Sequence, residues 1–510
     1  MNWRPKPGSR PPKNPQPGYT TPQNRPAMNK DFILSLTKYY RRFKDKDRRT
    51  EVFTHFLAVL ALKFVHDTHD RHFFRNVTPD TAKMVRFVWG NLSQTETARR
   101  LDESVQALVA DDAATFGRLF QAVSFEKLIF QDGDANYESR LSQLLEDVET
   151  VLFGTKGKAA DELGYSIGYM IEKFAEESFH KDGFLYTPRS IANLMAQMAR
   201  LEPTHTVYDP ALGIGTLLVQ AAKAGKLDGK CLFGQDLNPA YVELARYHLF
   251  FNGAFDVSFE SADSLLKSKP TKQTYDCVLA QPPFQEKLLL PANARDFLQS
   301  PKKRRKNGIV VADNSLPPLA KTKKPSDHSD FLTYALDALN ETGKAILVVP
   351  HGLLFKTGTA YQVRRKLVSN NLVEAVIDLP PHVFYSSKIN AAILLLNKAK
   401  THSDVLFVDA SGLYEADRRR NKIRLAHSKQ IMDLFRKFAS HGGLAYRATQ
   451  QEMENEHNNY NLTAKRYVQQ SEKPGEVNLN ALVAEIESLE KTLSGIQEKI
   501  RRETAELVTL

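Results

Sequence analysis

The chain of 510 residues reads as an α/β protein, a doubly wound, mostly parallel seven-stranded sheet behind a helical amino-terminal unit. Three observations predict this class. Beyond about residue 200, short β-type runs alternate with helical ones, the pattern of parallel strands joined by crossover helices. One of these runs ends in Asp209 and passes through Gly213 and Gly215 into a helical stretch, as at a strand-to-helix turn where a ligand approaches backbone. Before residue 150, apolar residues recur instead at helical spacing.

The elements follow in order. Residues 1–30 are proline-rich and carry basic but no acidic residues, which predicts a disordered arm, either a solvated tail or one that touches phosphate. Residues 31–150 read as a helical domain; in "EVFTHFLAVLALKFVHD", Val52, Phe56, Val59, Leu60 and Phe64 share one face. Residues 151–400 carry the sheet, with strands expected around 205–209, 230–236, 256–260, 275–280, 344–349, 373–378 and 391–396 and helices on both faces. Within it a polar insert, 285–328, holds Lys302, Lys303, Arg304, Arg305 and Lys306, a cluster suited to phosphate or, more plainly, a solvated loop. An extension, 401–470, leads to a last helix in 471–510. There Leu479, Leu482, Ile486, Leu489, Leu493, Ile496 and Ile500 follow alternating three- and four-residue steps, a coiled-coil-like seam for a partner helix unless it packs on its own domain.

A net charge of +11 and an isoelectric point near 9.3 favour an acidic partner, nucleic acid first. The two cysteines, Cys231 and Cys277, stand in apolar strand-like runs, so buried reduced thiols in a cytoplasmic protein are expected, without disulfides or a zinc site. The opening segment lacks the apolar core of a signal peptide, and no run approaches the roughly 18–20 apolar residues of a membrane span.

The chemistry gathers at strand ends. Asp236 ends the second strand, placed to accept from ribose hydroxyls, and Asp263 follows the third, within reach of an adenine amine, although an acid before "SLL" also suits a helix cap. The fourth strand, "YDCVLA", runs into Gln281-Pro282-Pro283-Phe284. Proline cannot donate to a sheet ladder, so the strand stops at Ala280 and the stiff turn can aim its carbonyls at a ligand. If the methyl donor is S-adenosyl-L-methionine, Gln281 Oε1 and the Pro282 carbonyl can accept from both hydrogens of a planar amine while Phe284 stacks on its ring.

With "LALKFVHD", "GFLYTPRSIANLM", "DPALGIGTL", "GQDLNP", "QPPF", "GKAILVVPHGLLFKTG", "LVEAVIDLPPHVFYSSKINAAILLLNK", "DVLFVDAS" and "NNYNLTAKRYV" in this order, the chain resembles the N6-adenine DNA methyltransferases, most closely the modification subunits of type I restriction-modification systems. The resemblance extends from about Asp31 to the carboxyl terminus. It implies that Tyr186, Thr187, Pro188, Asp209, Gly213, Gly215, Thr216, Asp236 and Asp263 surround S-adenosyl-L-methionine. It also implies double-stranded DNA with a flipped adenine as substrate, and a specificity subunit, with a restriction subunit in some assemblies, as partners. The family pattern before Pro-Pro is Asn, Asp or Ser, whereas this chain has Gln281. On that residue a second reading stays open, a weakly active or inactive cofactor- and DNA-binding subunit of a defence or mobile-element complex. A third, methylation of a protein glutamine or of RNA adenine, needs only a planar amine.

Overall fold

The computed structural model describes residues 30–43, 49–68, 74, 76–90, 96–132, 137–149, 158–179, 187–265, 274–284, 329–384, 389–418, 420–471 and 486–498. The proline-rich arm up to residue 29, the insert with Lys302, Lys303, Arg304, Arg305 and Lys306, and the residues Tyr186, Leu479, Leu482 and Ile500 lie outside them.

Seven helices come first: α1 (Lys30–Phe43), α2 (Arg49–Thr68), α3 (Pro79–Gly90), α4 (Thr97–Asp111), α5 (Phe125–Asp132), α6 (Tyr137–Glu149) and α7 (Lys158–Phe179). The sequence predicts one apolar face on α2, but every residue from Val52 to Val65 is buried. A helix apolar all round belongs inside a bundle, and its neighbours wrap it accordingly. Its polar residues are paired rather than exposed: Lys63 reaches Asp67 at 2.5 Å, and His55 Nδ1 lies 2.8 Å from the Glu51 carbonyl. Phe53 stacks on Phe174 of α7 with ring centroids 3.9 Å apart. The same core takes in Ile214, Leu244, Tyr247 and Phe250, so the helical unit rests directly on the glycine turn and on the helix after the second strand.

The sheet has nine strands: β1 (Val207–Asp209), β2 (Leu232–Asp236), β3 (Ser258–Ser261), β4 (Tyr275–Ala280), β5 (Leu339–Pro350), β6 (Val373–Asp378), β7 (Ala391–Asn397), β8 (Val405–Asp409) and β9 (Ala445–Ala448). Their order is β3-β2-β1-β4-β5-β7-β6-β8-β9. All seven expected strands are present, and the count is corrected by β8 and β9, which lie in the stretch read as an extension. The sheet is also mixed: β5–β7, β6–β7 and β8–β9 are antiparallel. Between β6 and β7 the described residues form no helix, and without a crossover helix a strand returns antiparallel to its predecessor.

Helices α8 (Arg189–Ala199) and α9 (Thr216–Gly225) cover one face, joined by the helix Leu425–Lys437. The helices Ser329–Ala338 and Thr359–Ser369 cover the other. Because β3, β2, β1, β4 and β5 run parallel, their carboxyl ends share one edge. Helix α10 (Pro239–Phe250) follows β2.

Cys277 is buried in β4, but Cys231 is only half-buried, because it sits in a short turn before β2 rather than within the strand; both thiols are free. Residues 486–498 form a helix whose residues are all exposed, including Ile486, Leu489, Leu493 and Ile496. No helix among the described residues is long and apolar enough to cross a membrane, and no cluster of metal-ligating side chains occurs among them.

Candidate active site at the carboxyl edge of the sheet

Asp209 ends β1, the centre of this edge, with no solvent exposure. Its Oδ1 accepts from the Ala211 N–H at 2.9 Å, while Oδ2, equally buried, has no hydrogen-bond partner among the described residues. Burial pushes this carboxyl up to about 8, the Asp236 charge adds to the rise, and the Ala211 N–H opposes it.

The next residues form a tight loop. Leu212 N–H donates to the Gln235 carbonyl at 2.9 Å, pinning the loop to β2. Gly213 and Gly215 have φ of +52° and +77°, the left-handed region where a side chain is strained. A Cβ on Gly215 would also stand 2.9 Å from Leu249 of α10, so glycine is required twice over. Gly215 caps α9, and the first residue of that helix, Thr216, is buried, its hydroxyl without a partner among the described residues.

Asp236, at the end of β2, clamps this loop. Its Oδ2 accepts from Gly213 N–H at 2.8 Å and its Oδ1 from Asn238 N–H at 2.9 Å. Burial raises its pKa and the N–H donors hold it down. Asp263 is half-buried and accepts from Leu265 N–H at 2.9 Å, so its described contact is that of a local turn cap. Its neighbour Ser264 donates to the Pro210 carbonyl at 2.7 Å and ties the end of β3 to the loop after β1.

Pro188 is buried and caps α8, with Thr187 half-buried before it. Beyond β4, Gln281, Pro282 and Phe284 are buried and Pro283 is half-buried. The Phe284 ring meets Phe384 edge-on, with centroids 5.3 Å apart.

The structure thus brings Asp209, Gly213, Gly215, Thr216 and Asp236 together. Asp263 lies one strand further along the same edge, past β3, and the Gln281 turn lies on the opposite side of Asp209, at the end of β4, which pairs with β1. Three features escape sequence reasoning. Phe384 ends a second Pro-Pro turn, "LPPHVF", whose likeness in composition to "QPPF" was the available signal. His351 and Asp378 follow β5 and end β6, with Nε2 3.2 Å from Oδ1. His248 on α10 reaches the Ile214 carbonyl inside the glycine loop at 2.9 Å.

Residues 158–475 match the model of the N-6 DNA Methylase family. The chain belongs to that family. Curated relatives in the N-6 DNA methylases include the type I restriction enzyme MpnII methylase subunit of Mycoplasma pneumoniae, 26% identical over 71% of this chain and 67% of its own length. The HindI methylase subunit of Haemophilus influenzae is 28% identical over 61% of this chain and 69% of its own. The matched part therefore spans about two thirds of each relative. Among solved structures, the type I restriction-modification methyltransferase subunit of Streptococcus thermophilus superposes with a TM-score of 0.68 at 21% identity, covering 86% of this chain and all of that one. A modification subunit of a type I restriction enzyme from Vibrio vulnificus gives 0.55 at 15%, over 84% and 94%. These two structures support the fold.

Proposed function

We propose that the chain is the modification subunit of a type I restriction-modification-like system, a site-specific DNA adenine N6-methyltransferase that uses S-adenosyl-L-methionine. The observation that carries the reading is the meeting, on one edge, of a glycine loop, a buried carboxylate oxygen without a partner among the described residues, and the largely buried Gln281-Pro282-Pro283-Phe284 turn. In a chain of the N-6 DNA methylase family, these are the parts that cofactor binding and amine methylation need.

The residues fit the cofactor. A buried acceptor without a donor costs roughly 1–3 kcal/mol, and Asp209 Oδ2 has room in its inventory for an ammonium or hydroxyl donor. The free hydroxyl of Thr216 and the positive φ of Gly213 and Gly215 extend the same cradle along the start of α9. Asp236 and, further out, Asp263 would hold the ribose and the adenine, with Thr187 and Pro188 along the side. When bound, S-adenosyl-L-methionine supplies a methyl group on a positive sulfonium. Gln281 Oε1 and the Pro282 carbonyl then accept from the two hydrogens of the target amine, freeing its lone pair from the ring and aiming it, and Phe284 stacks on the base.

An adenine in a duplex hides this amine, so the base must be flipped out at a cost of a few kcal/mol. Lys302, Lys303, Arg304, Arg305 and Lys306 are proposed to grip the flanking phosphates. Sequence reading would come from a specificity subunit docked on the last helix. The exposed Ile486, Leu489, Leu493 and Ile496, three or four residues apart, support that docking. A restriction subunit would join the same assembly.

Gln281 supports the second reading, because its amide oxygen sits one methylene further out than the family's Asn. A 1 Å misplacement at a reacting centre costs on the order of a hundredfold in rate. The test is single-turnover methylation of adenine by the chain in complex with its specificity subunit. Wild type is expected to methylate, Gln281→Ala to lose about a hundredfold or more, and Gln281→Asn to change the rate by about ten- to a hundredfold. No methylation by wild type and Gln281→Asn alike, with cofactor and DNA both bound, leaves the non-catalytic subunit as the function.

A further inference from the structure

We propose that His248 is a positioning residue of the cofactor loop, and that helix α7 of the amino-terminal unit forms the rear wall of the cofactor site through it. The proposal rests on the reading of the Gly213–Gly215 loop as the cofactor cradle. His248 lies on α10, almost fully buried, and its Nδ1 is 2.9 Å from the Ile214 carbonyl. A carbonyl only accepts, so Nδ1 carries the hydrogen and Nε2 the lone pair.

Ile214 stands between two glycines at positive φ, and the N–H of the peptide that joins it to Gly215 donates to the Leu212 carbonyl at 2.9 Å. The imidazole holds the other end of that peptide, its carbonyl, so that the two bonds together fix which way the peptide between Ile214 and Gly215 points. That peptide leads directly into α9 and Thr216. Asn252, one turn further along, makes a contrast: it donates to the Gly164 and His248 carbonyls and only joins helix to helix.

Behind the ring stands α7. A Cβ on Gly168 would lie 2.6 Å from His248 Nε2 and 2.8 Å from an Arg189 guanidinium nitrogen, so α7 closes on the ring only because residue 168 has no side chain. Arg189 is itself held by Glu172 and by the Tyr165 carbonyl, with its guanidinium 4.2 Å from the centre of the Tyr165 ring. Burial first, and then the Arg189 charge, push the imidazole down to about 3, which keeps it a neutral donor near neutral pH.

The test uses the full chain and S-adenosyl-L-methionine in calorimetry, with the unfolding midpoint measured alongside. Absence of binding by wild type would refute the cofactor reading itself and is distinguishable from the following outcomes. His248→Leu removes the donor at similar volume; His248→Asn keeps an N–H as many bonds from Cα as Nδ1. His248→Leu is expected to weaken affinity about tenfold or more, a change of about 1.4 kcal/mol, and His248→Asn to stay within about threefold of wild type. A merely structural role lowers the unfolding midpoint without this split. Affinity of His248→Leu within about threefold of wild type, or equal weakening by both variants, overturns the proposal. Should His248→Leu fail to fold, ring-nitrogen NMR of wild type decides: a neutral Nδ1–H imidazole between about pH 5 and 8 is expected, and an Nε2–H tautomer or an imidazolium overturns it.

Discussion

Asp209 and Asp236 end neighbouring parallel strands, the first fully buried and the second half-buried, and they are used in opposite ways. Asp236 spends both oxygens on the N–H groups of Gly213 and Asn238 and so builds the loop. Asp209 spends one on Ala211 and leaves the other open, with its pKa pushed up to about 8. The difference separates an acid that builds the scaffold from one that keeps a buried oxygen unbonded among the described residues, the oxygen proposed to meet the cofactor, although in sequence both are simply an Asp after an apolar run.

The largest effect is expected from Asp236→Ala. Two backbone donors lose their acceptor at about 1–3 kcal/mol each, so the unfolding free energy should fall by several kcal/mol and the loop should lose cofactor affinity with it. Chemical denaturation and calorimetry check both. A variant of unchanged stability would remove the scaffold role.

Asp209→Asn should separate the two properties, weakening cofactor affinity about tenfold or more while leaving stability near pH 7 unchanged or higher. The sign follows from linkage. The native carboxyl keeps its proton up to about 8 whereas the unfolded one loses it near the ordinary 3.8, so between these values the native state binds the extra proton. Stability from this group is thus lost as pH rises through that window, with a slope of at most about 1.4 kcal/mol per pH unit, and the Asn variant should lack the slope.

A smaller effect is the pH dependence of cofactor binding. If the ionised carboxylate receives the cofactor's ammonium, wild-type affinity should rise with pH towards about 8 and level above it, and the Asn variant should be flat. Affinity that falls over the same range would mean that protonated Oδ2 donates to an acceptor of the ligand, and no cation would then sit there.

The smallest effect on this site should come from deleting residues 477–510. Cofactor affinity should stay within about twofold, because the helix at 486–498 is exposed on all sides, while co-purification with the specificity subunit is lost. Undiminished complex formation would assign the exposed leucines and isoleucines another role.

The sheet from β1 to β7 and its glycine loop were legible because alternation and turn chemistry are local properties of the chain. What was not legible depends on distant partners. Periodicity gave α2 one apolar face, since it cannot tell that a second layer of helices buries the other. β8 and β9 are only five and four residues long; "VLFVD" is as apolar as the other strands, so its signal was available, whereas "AYRA" is too short and too mixed to stand out. Asp263 could equally be a ligand contact or a turn cap, and only the Leu265 N–H displays its local use. His248 and Gly168 are 80 positions apart in the chain, and nothing near either announces that the lack of a side chain at one makes room for the other.

The central claim is that this edge of the sheet methylates adenine. The most direct test is quantification of N6-methyladenine, by mass spectrometry and long-read sequencing, in DNA from cells carrying this gene with its specificity partner or the Gln281→Ala variant in its place. The account predicts methylated adenines at one recurring sequence with wild type and background levels with the variant. Equal levels in both, or none in wild type while the purified complex binds cofactor and DNA, would contradict it.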